Sequence, residues 1–190
     1  MTPWDLPVSA NIGGTKYKIH ADFRDVLDIV KRLNDETIPE YFRWRIAIAL
    51  FFDGDIPKEH YYEAMRYLSL FLSCGEKDES KPGPVLVDWE QDAKAIVSDI
   101  NKIAGKEIRS VQFLHWWTFI AYFNAIGEGQ LSTIVSIRNK MMRGKKLEDW
   151  EKEYYRNNKA KVDIKRRYTE EEMAARESIL KFLDGQGGGQ

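Results

Sequence analysis

A single cysteine, Cys74, stands in a chain of 190 residues, so an internal disulfide is excluded and neither a structural zinc nor an iron-sulfur cluster has its ligands. This usage fits a reducing cytosol. A dominant charge sign is also missing: 29 Lys and Arg against 30 Asp and Glu leave a formal net charge of -1. Global attraction to nucleic acid is excluded as a premise, and any basic contact must be local. No apolar run reaches the roughly twenty residues needed to cross a bilayer. The most hydrophobic stretch, 111 to 126, is interrupted by Gln112, His115 and Asn124. Met1 to Ala10 lacks the basic start and apolar core of a secretory signal. These absences predict a soluble, cytoplasmic chain with no membrane span.

Catalytic and metal motifs are missing as well. No G-x-S-x-G elbow presents a nucleophile, and no H-E-x-x-H pair binds zinc. His20, His60 and His115 lie far apart in the chain. Asp53-Gly54-Asp55 opens like a calcium loop, but Lys58 replaces the required glycine and Ala64 the bidentate glutamate. Gly13-Gly14-Thr15-Lys16 shares letters with a phosphate loop, yet lacks its leading glycine and opens no helix. The expectation is a protein that is not an enzyme, with no catalytic residue, no metal and no cofactor. An enzyme assembled from distant residues around His115 is the reading that a polar cavity there would favour.

What is present is material for one core, with 43% hydrophobic and 13% aromatic residues. Gly13-Gly14 supplies a two-residue turn between Val8 and Ile19, where Tyr17 and Ile19 alternate with Lys16 and Lys18, so a short β-hairpin is predicted. From Asp22, a helix N-cap, the period becomes helical: Phe23, Val26, Leu27, Val30 and Leu33 predict a helix over 22 to 34. Pro39 opens a second helix with an apolar face of Phe42, Ile46, Ala49, Leu50 and Phe52. Pro57 opens a third, carrying Tyr61, Met65, Leu68, Phe71 and Leu72 to a stop near Cys74-Gly75.

The polar segment 76 to 84 reads as a surface loop and the best place for a hinge. Asp88 caps the next helix, with Trp89, Ala93, Ile96, Val97 and Ile100 in register and Gly105 at its end. Ser110 starts the most hydrophobic helix, 111 to 126, which belongs at the centre of the fold. Helices follow at 131 to 141, 146 to 160 and 169 to 184, the last with the capping box Thr169 and Glu172, before a flexible tail at 185 to 190. No repeat at solenoid periods is visible. The fold class is therefore mainly α: a compact helical bundle with a short N-terminal β-hairpin, one domain over 1 to 168 with a C-terminal helix appended.

Charge is unevenly placed. Residues 138 to 167 hold twelve Lys or Arg against five Asp or Glu, a local charge of +7. One reading is a solvated helical face; the other is an arm that docks on an acidic partner. Trp116 and Trp117 point about 100 degrees apart on a helix, so one can fill the core while the other anchors a partner. The candidate partner-binding residues are Trp116 or Trp117, whichever is exposed, with Arg138, Lys140, Arg143, Lys145 and Lys146. A nucleic-acid-binding regulator using the basic C-terminal third is the alternative from another class.

The order Tyr17-x-Ile19, Asp22-Phe23-Arg24, Phe51-Phe52, Asp88-Trp89-x-x-Asp92, Leu114-His115-Trp116-Trp117-x-Phe119 and Ile134-x-x-Ile137-Arg138 resembles the bacteriophage gene-product-fifteen family of long-tailed phages and prophages. The likeness covers roughly residues 5 to 160, with the His-Trp-Trp segment its most specific part. It implies a tail assembly chaperone, a helical factor of the host cytoplasm, absent from the mature virion, that shields the tape-measure protein while tail-tube subunits polymerise. The implied partners are the tape-measure protein, the tail-tube protein and other copies of the chain. The motif residues are apolar or structural in type, so they carry a fold signature and no active site. The segment after Tyr168 departs from the shorter family pattern.

Overall fold

A computed structural model describes residues 4–76 and 83–165. The helix expected at 169 to 184, the tail and most of the loop at 76 to 84 lie outside the described residues.

The N-terminal ribbon forms where alternation and turn chemistry agree. Strand β1 (Ser9–Ile12) pairs antiparallel with β2 (Thr15–Ile19), Ala10 opposite Tyr17. Gly13 and Gly14 both take positive φ, 57° and 77°, as a two-residue turn of this hand demands. Ala10, Ile12 and Ile19 face inward, while Lys16 and Lys18 face water. The turn rests on a helix start: the Gly13 amide donates to Glu63 Oε2 at 2.9 Å, and a Cβ on Gly13 would lie 2.3 Å from the His60 ring. A third strand, β3 (Phe52–Asp53), joins the far side of β2, with Ile19 opposite Phe52. It was not foreseen, because Phe52 reads as the last apolar residue of a helix; its backbone is already extended, at φ -95° and ψ 134°.

Seven α-helices follow among the described residues: α1 (Phe23–Leu33), α2 (Glu40–Phe51), α3 (Tyr61–Leu72), α4 (Ala93–Ala104), α5 (Trp116–Asn124), α6 (Gln130–Met142) and α7 (Asp149–Val162). The fold is thus mainly α with a short antiparallel sheet near its N-terminus. Local signals place most helix ends. Asp22 caps α1, Pro39 precedes α2, and Gly105, at φ 64°, ends α4.

Three expectations are corrected. The buried face of α2 is Ala47, Ile48 and Phe51, with Trp44 partly covered, so Phe42 and Leu50 point outward. The start of α4 falls at Ala93, because Asp88 caps a separate turn by accepting from the Glu90 and Gln91 amides at 2.9 and 2.8 Å. The helix expected over 111 to 126 begins only at Trp116 and is half-buried, with Ala121 and Asn124 exposed. Residues 111 to 115 are instead drawn out along the start of α1.

That third correction has a specific cause. Asp22 uses both carboxylate oxygens: Oδ1 accepts from the Arg24 amide and Oδ2 from the Leu114 amide, each at 3.0 Å. The Phe23 amide donates to the Leu114 carbonyl at 2.9 Å, and the Trp116 amide to the Ala21 carbonyl at 2.8 Å. Backbone at 114 to 116 that is spent on residues 21 to 23 cannot close a helical turn. His115 then caps α5 with its ring: Nδ1 accepts from the Trp117 amide at 3.1 Å, and Nε2 lies 3.0 Å from the Pro7 carbonyl. An accepting Nδ1 puts the proton on Nε2, which donates to Pro7, so the imidazole is neutral. Next to it, the Trp116 and Trp117 indoles donate to the Leu72 and Phe71 carbonyls at 3.1 and 2.9 Å, satisfying the end of α3.

The second half is held by charge. Arg138 on α6 is 4% exposed, and all five of its N–H groups are used. Nη1 and Nη2 form a bidentate pair with Asp92 at 2.6 and 3.0 Å; the remaining donors reach the carbonyls of Leu86 at 2.8 Å, Lys161 at 2.8 Å and Val162 at 2.6 Å. Asp92 Oδ2 also accepts from the Asp88 amide at 2.9 Å. One guanidinium therefore joins the segment before α4, α6 and the end of α7. Asp99 caps α6 in a similar way, accepting from the Leu131 amide at 2.9 Å. Gly129 leaves room for it, since a Cβ there would lie 2.5 Å from Asp99 Oδ2.

Two outcomes follow for stability. Arg138→Met strands the Asp92 carboxylate in the interior, a change that costs roughly 3–5 kcal/mol when one partner of a buried pair is removed; a large fall in the urea midpoint at unchanged slope is expected. Burial holds the His115 pKa below its ordinary value, the Pro7 carbonyl acting weakly in the other direction. The unfolded chain therefore takes up a proton first, so the contribution of His115 is complete above its ordinary pKa of about 6.5 and is lost as pH falls through the depressed value. Thermal melts across pH 7.5 to about 5 should show stability falling with acid, and His115→Asn should flatten that part of the profile.

Candidate protein-binding surfaces

The expected anchors do not meet at one place. Trp116 is 3% exposed and packs on Phe119, with ring centroids 5.6 Å apart; Trp117 is half-buried with its indole N–H on α3. Arg138 is interior and unavailable to a partner, because the Asp92 pair and three carbonyls consume it. Lys140 is partly covered and lies 2.8 Å from Glu151. Arg143, Lys145 and Lys146 remain exposed.

Those three cations share the tip of the helical hairpin formed by α6 and α7. The tip is built by a regular helix ending. Gly144 adopts φ 63°, its amide donates to the Met141 carbonyl at 3.0 Å, and the Lys145 amide reaches back to the Lys140 carbonyl at 2.8 Å. This paired closure fixes the direction in which the chain leaves α6. It leaves Met141 and Met142 exposed in the last turn of α6 and Trp150 exposed in the first turn of α7, with Met142 at 59% and Trp150 at 58%.

The acids of the hairpin are largely committed elsewhere. Glu151 is buried and accepts from Lys140 Nζ and the Glu148 amide, both at 2.8 Å, and the lysine, then that amide, holds its carboxyl below the usual glutamate value. Asp149 pairs with Lys152 at 2.7 Å, which likewise lowers its pKa. Arg143, Lys145 and Lys146 have no ion-pair partner among the described residues, and Glu148 is the exposed acid beside them. The tip thus carries two exposed thioethers and an exposed indole together with surplus positive charge. Trp150 was not among the expected residues, although a tryptophan set among Glu148, Asp149 and Glu153 in a first helical turn has no apolar stripe to join.

A second surface went unseen because the buried face of α2 was misplaced. Between α2 and α3 lies an open cleft of about 310 Å³, lined by Glu40, Tyr41, Trp44, Arg45, Ile48, Tyr61 and Met65. Tyr41 is exposed, meets Phe42 edge-on at 5.4 Å, and carries the Arg45 guanidinium 5.7 Å above its ring. The cleft is concave and mostly aromatic, with one acid and one base at its mouth.

The histidines converge on nothing. His20 is exposed, His60 lies under the Gly13 turn, and both nitrogens of His115 are taken by backbone groups. Among the described residues no group of three His, Cys, Asp or Glu side chains is placed to hold a metal ion, and no helix is long and apolar enough to cross a membrane. Residues 4–164 match the family model described as Bacteriophage Gp15 protein. Comparison with curated proteins and with solved structures yields no match.

Proposed function

We propose that this chain, which belongs to the bacteriophage Gp15 protein family, acts as a tail assembly chaperone that binds and shields the tape-measure protein while the tail tube grows around it. Shielding is reversible and has no catalytic step, and the tail-tube protein is the second partner of the same assembly, reached in the cytoplasm of the host. The observation that carries the reading is the tip between α6 and α7, where Met141, Met142 and Trp150 lie in water beside Arg143, Lys145 and Lys146. A long, largely helical client presents apolar stripes edged by charge. Unbranched thioethers adapt to such stripes, an exposed indole supplies a rigid anchor, and flanking cations select acidic edges. The backbone closure at Gly144 holds these groups in place before the client arrives, which lowers the ordering cost of binding.

Co-expression with the tape-measure protein is the test. The wild-type chain should raise the soluble fraction of that protein and co-purify with it, less so as salt rises. Combining Arg143→Glu, Lys145→Glu, Lys146→Glu and Trp150→Ala should cut the recovered complex at least tenfold while the melting temperature of the free chain stays within a few degrees, since all four side chains are exposed. Undiminished recovery with the fourfold variant, or loss of the complex on nuclease treatment, would remove the tip from this role.

A further inference from the structure

Helix α2 is apolar on two sides. Trp44, Ala47, Ile48 and Phe51 face the core, while Phe42, Ile46, Ala49 and Leu50 recur at i, i+4, i+7 and i+8 on the opposite side. Phe42 is 50% and Leu50 40% exposed, Ala49 is exposed, and Ile46, half-buried, lies outside the core cluster. This outward stripe supplies no residue to the cleft between α2 and α3. A helix with apolar side chains all round is normally covered all round.

The place where the described chain stops points to the cover. The Lys165 amide donates to Gln91 Oε1 at 3.0 Å, and the neighbouring Glu90 pairs with Lys31, near the end of α1, at 2.5 Å. There α1 gives way to α2, and Arg43 Nη1 donates to the Leu33 carbonyl at 2.9 Å. Residue 165 therefore sits on the side of the molecule where α2 begins. Beyond it, the sequence repeats the spacing of the open stripe. Ala175, Ile179, Phe182 and Leu183 also stand at i, i+4, i+7 and i+8, with Arg176, Glu177, Ser178 and Lys181 between them. Length suffices as well: residues 166 to 168 span about 10 Å when extended, and 169 to 184 about 24 Å as a helix, against about 18 Å for α2.

We propose that residues 169 to 184 pack as a helix along the outward stripe of α2, running in the same direction, as a cover supplied by the same chain. A segment that departs from the start of α2 and follows it is parallel to it. In that register Ala175 meets Phe42, Ile179 meets Ile46, Phe182 meets Ala49 and Leu183 meets Leu50. Each phenylalanine then falls opposite an alanine, and the two stripes interdigitate. The tether makes the contact intramolecular, so it forms at any dilution. The covering segment lies outside residues 4–164, which match the family, and is an addition to the family frame. Any polypeptide that competes for α2 has first to displace it. The contact uses neither the tip nor the client and stands independently of the function proposed above.

Cysteine pairs in the purified full-length chain, each with Cys74→Ser, test the contact and its direction. Ala49→Cys with Phe182→Cys should close to an intramolecular disulfide under mild oxidation. Closure should be at least tenfold faster than for Ala49→Cys with Ala175→Cys, the pair that an antiparallel helix would bring together. The product should be monomeric, with a yield independent of protein concentration. Thiol labelling gives a second readout. A bulky reagent should reach the single Ala49→Cys site at least tenfold faster once Ile179→Glu and Phe182→Glu are added. Faster closure of the Ala175 pair, closure of neither pair, linked dimers that grow with concentration, or a labelling rate indifferent to the glutamates would overturn the proposal. Recovery of the tape-measure protein by the tip is read in a separate experiment, so failure of one reading leaves the other standing.

Discussion

The bidentate pair between Arg138 and Asp92 is the contact on which the second half of the structure hangs. Arginine is never deprotonated in a protein, so a guanidinium withdrawn from water needs a partner for each of its five N–H groups. Here the partners come from Asp92 and the carbonyls of Leu86, Lys161 and Val162. These groups are distant in sequence, and Gln91, next to Asp92, adds a second tie by donating to the Lys161 and Asp163 carbonyls at 3.2 and 2.8 Å. The requirement that all five donors be met therefore works as a positional constraint. It fixes where α6 crosses the segment before α4 and where α7 finishes. With the far end of α7 held, its near end and the last turn of α6 are left projecting, and the exposed tip is a result of that geometry.

A second knot of polar contacts does comparable work in the first half. Asp22, His115, Trp116 and Trp117 are residue types that suggest chemistry, yet each is spent on a backbone group: helix amides for Asp22 and His115, the carbonyls that end α3 for the two indoles. Buried helix ends leave amides and carbonyls that need partners, and here side chains from distant segments supply them. The segment from His115 to Trp117 is therefore a junction between α1, α3 and α5. The exposed apolar side chains lie elsewhere, on residues with no polar duty inside the fold, such as Trp150, Met142 and Tyr41.

A division of this kind suits a binding protein. The interior is over-determined by hydrogen bonds and ion pairs, while the cleft and the tip keep apolar groups in water where a rigid frame presents them. Such exposure is an aggregation liability unless another polypeptide covers it. In the proposed role, the surplus cations on the tip would make that covering selective and sensitive to salt.

Much of this architecture was legible along the chain, and the reason is local. The Gly13-Gly14 turn, the Asp22 cap, Pro39 and Gly105 act within a few residues of themselves, so the hairpin and most helix boundaries can be read one after another. The facing of α2, the late start of α5 and the strand at Phe52 could not be read this way, because each depends on which distant segment claims a backbone or apolar group. The same holds for the candidate sites. Of the cations expected to bind a partner, Arg143, Lys145 and Lys146 are exposed, whereas Arg138, five residues before the first of them, is drawn inside by an aspartate 46 positions away. The sequence by itself determined most of the elements, the fold class and the family, since caps, turns and periodicity are short-range interactions. Only the tertiary structure decided which charges and tryptophans are interior and which face water, because burial of a polar group is set by partners that the chain brings together on folding.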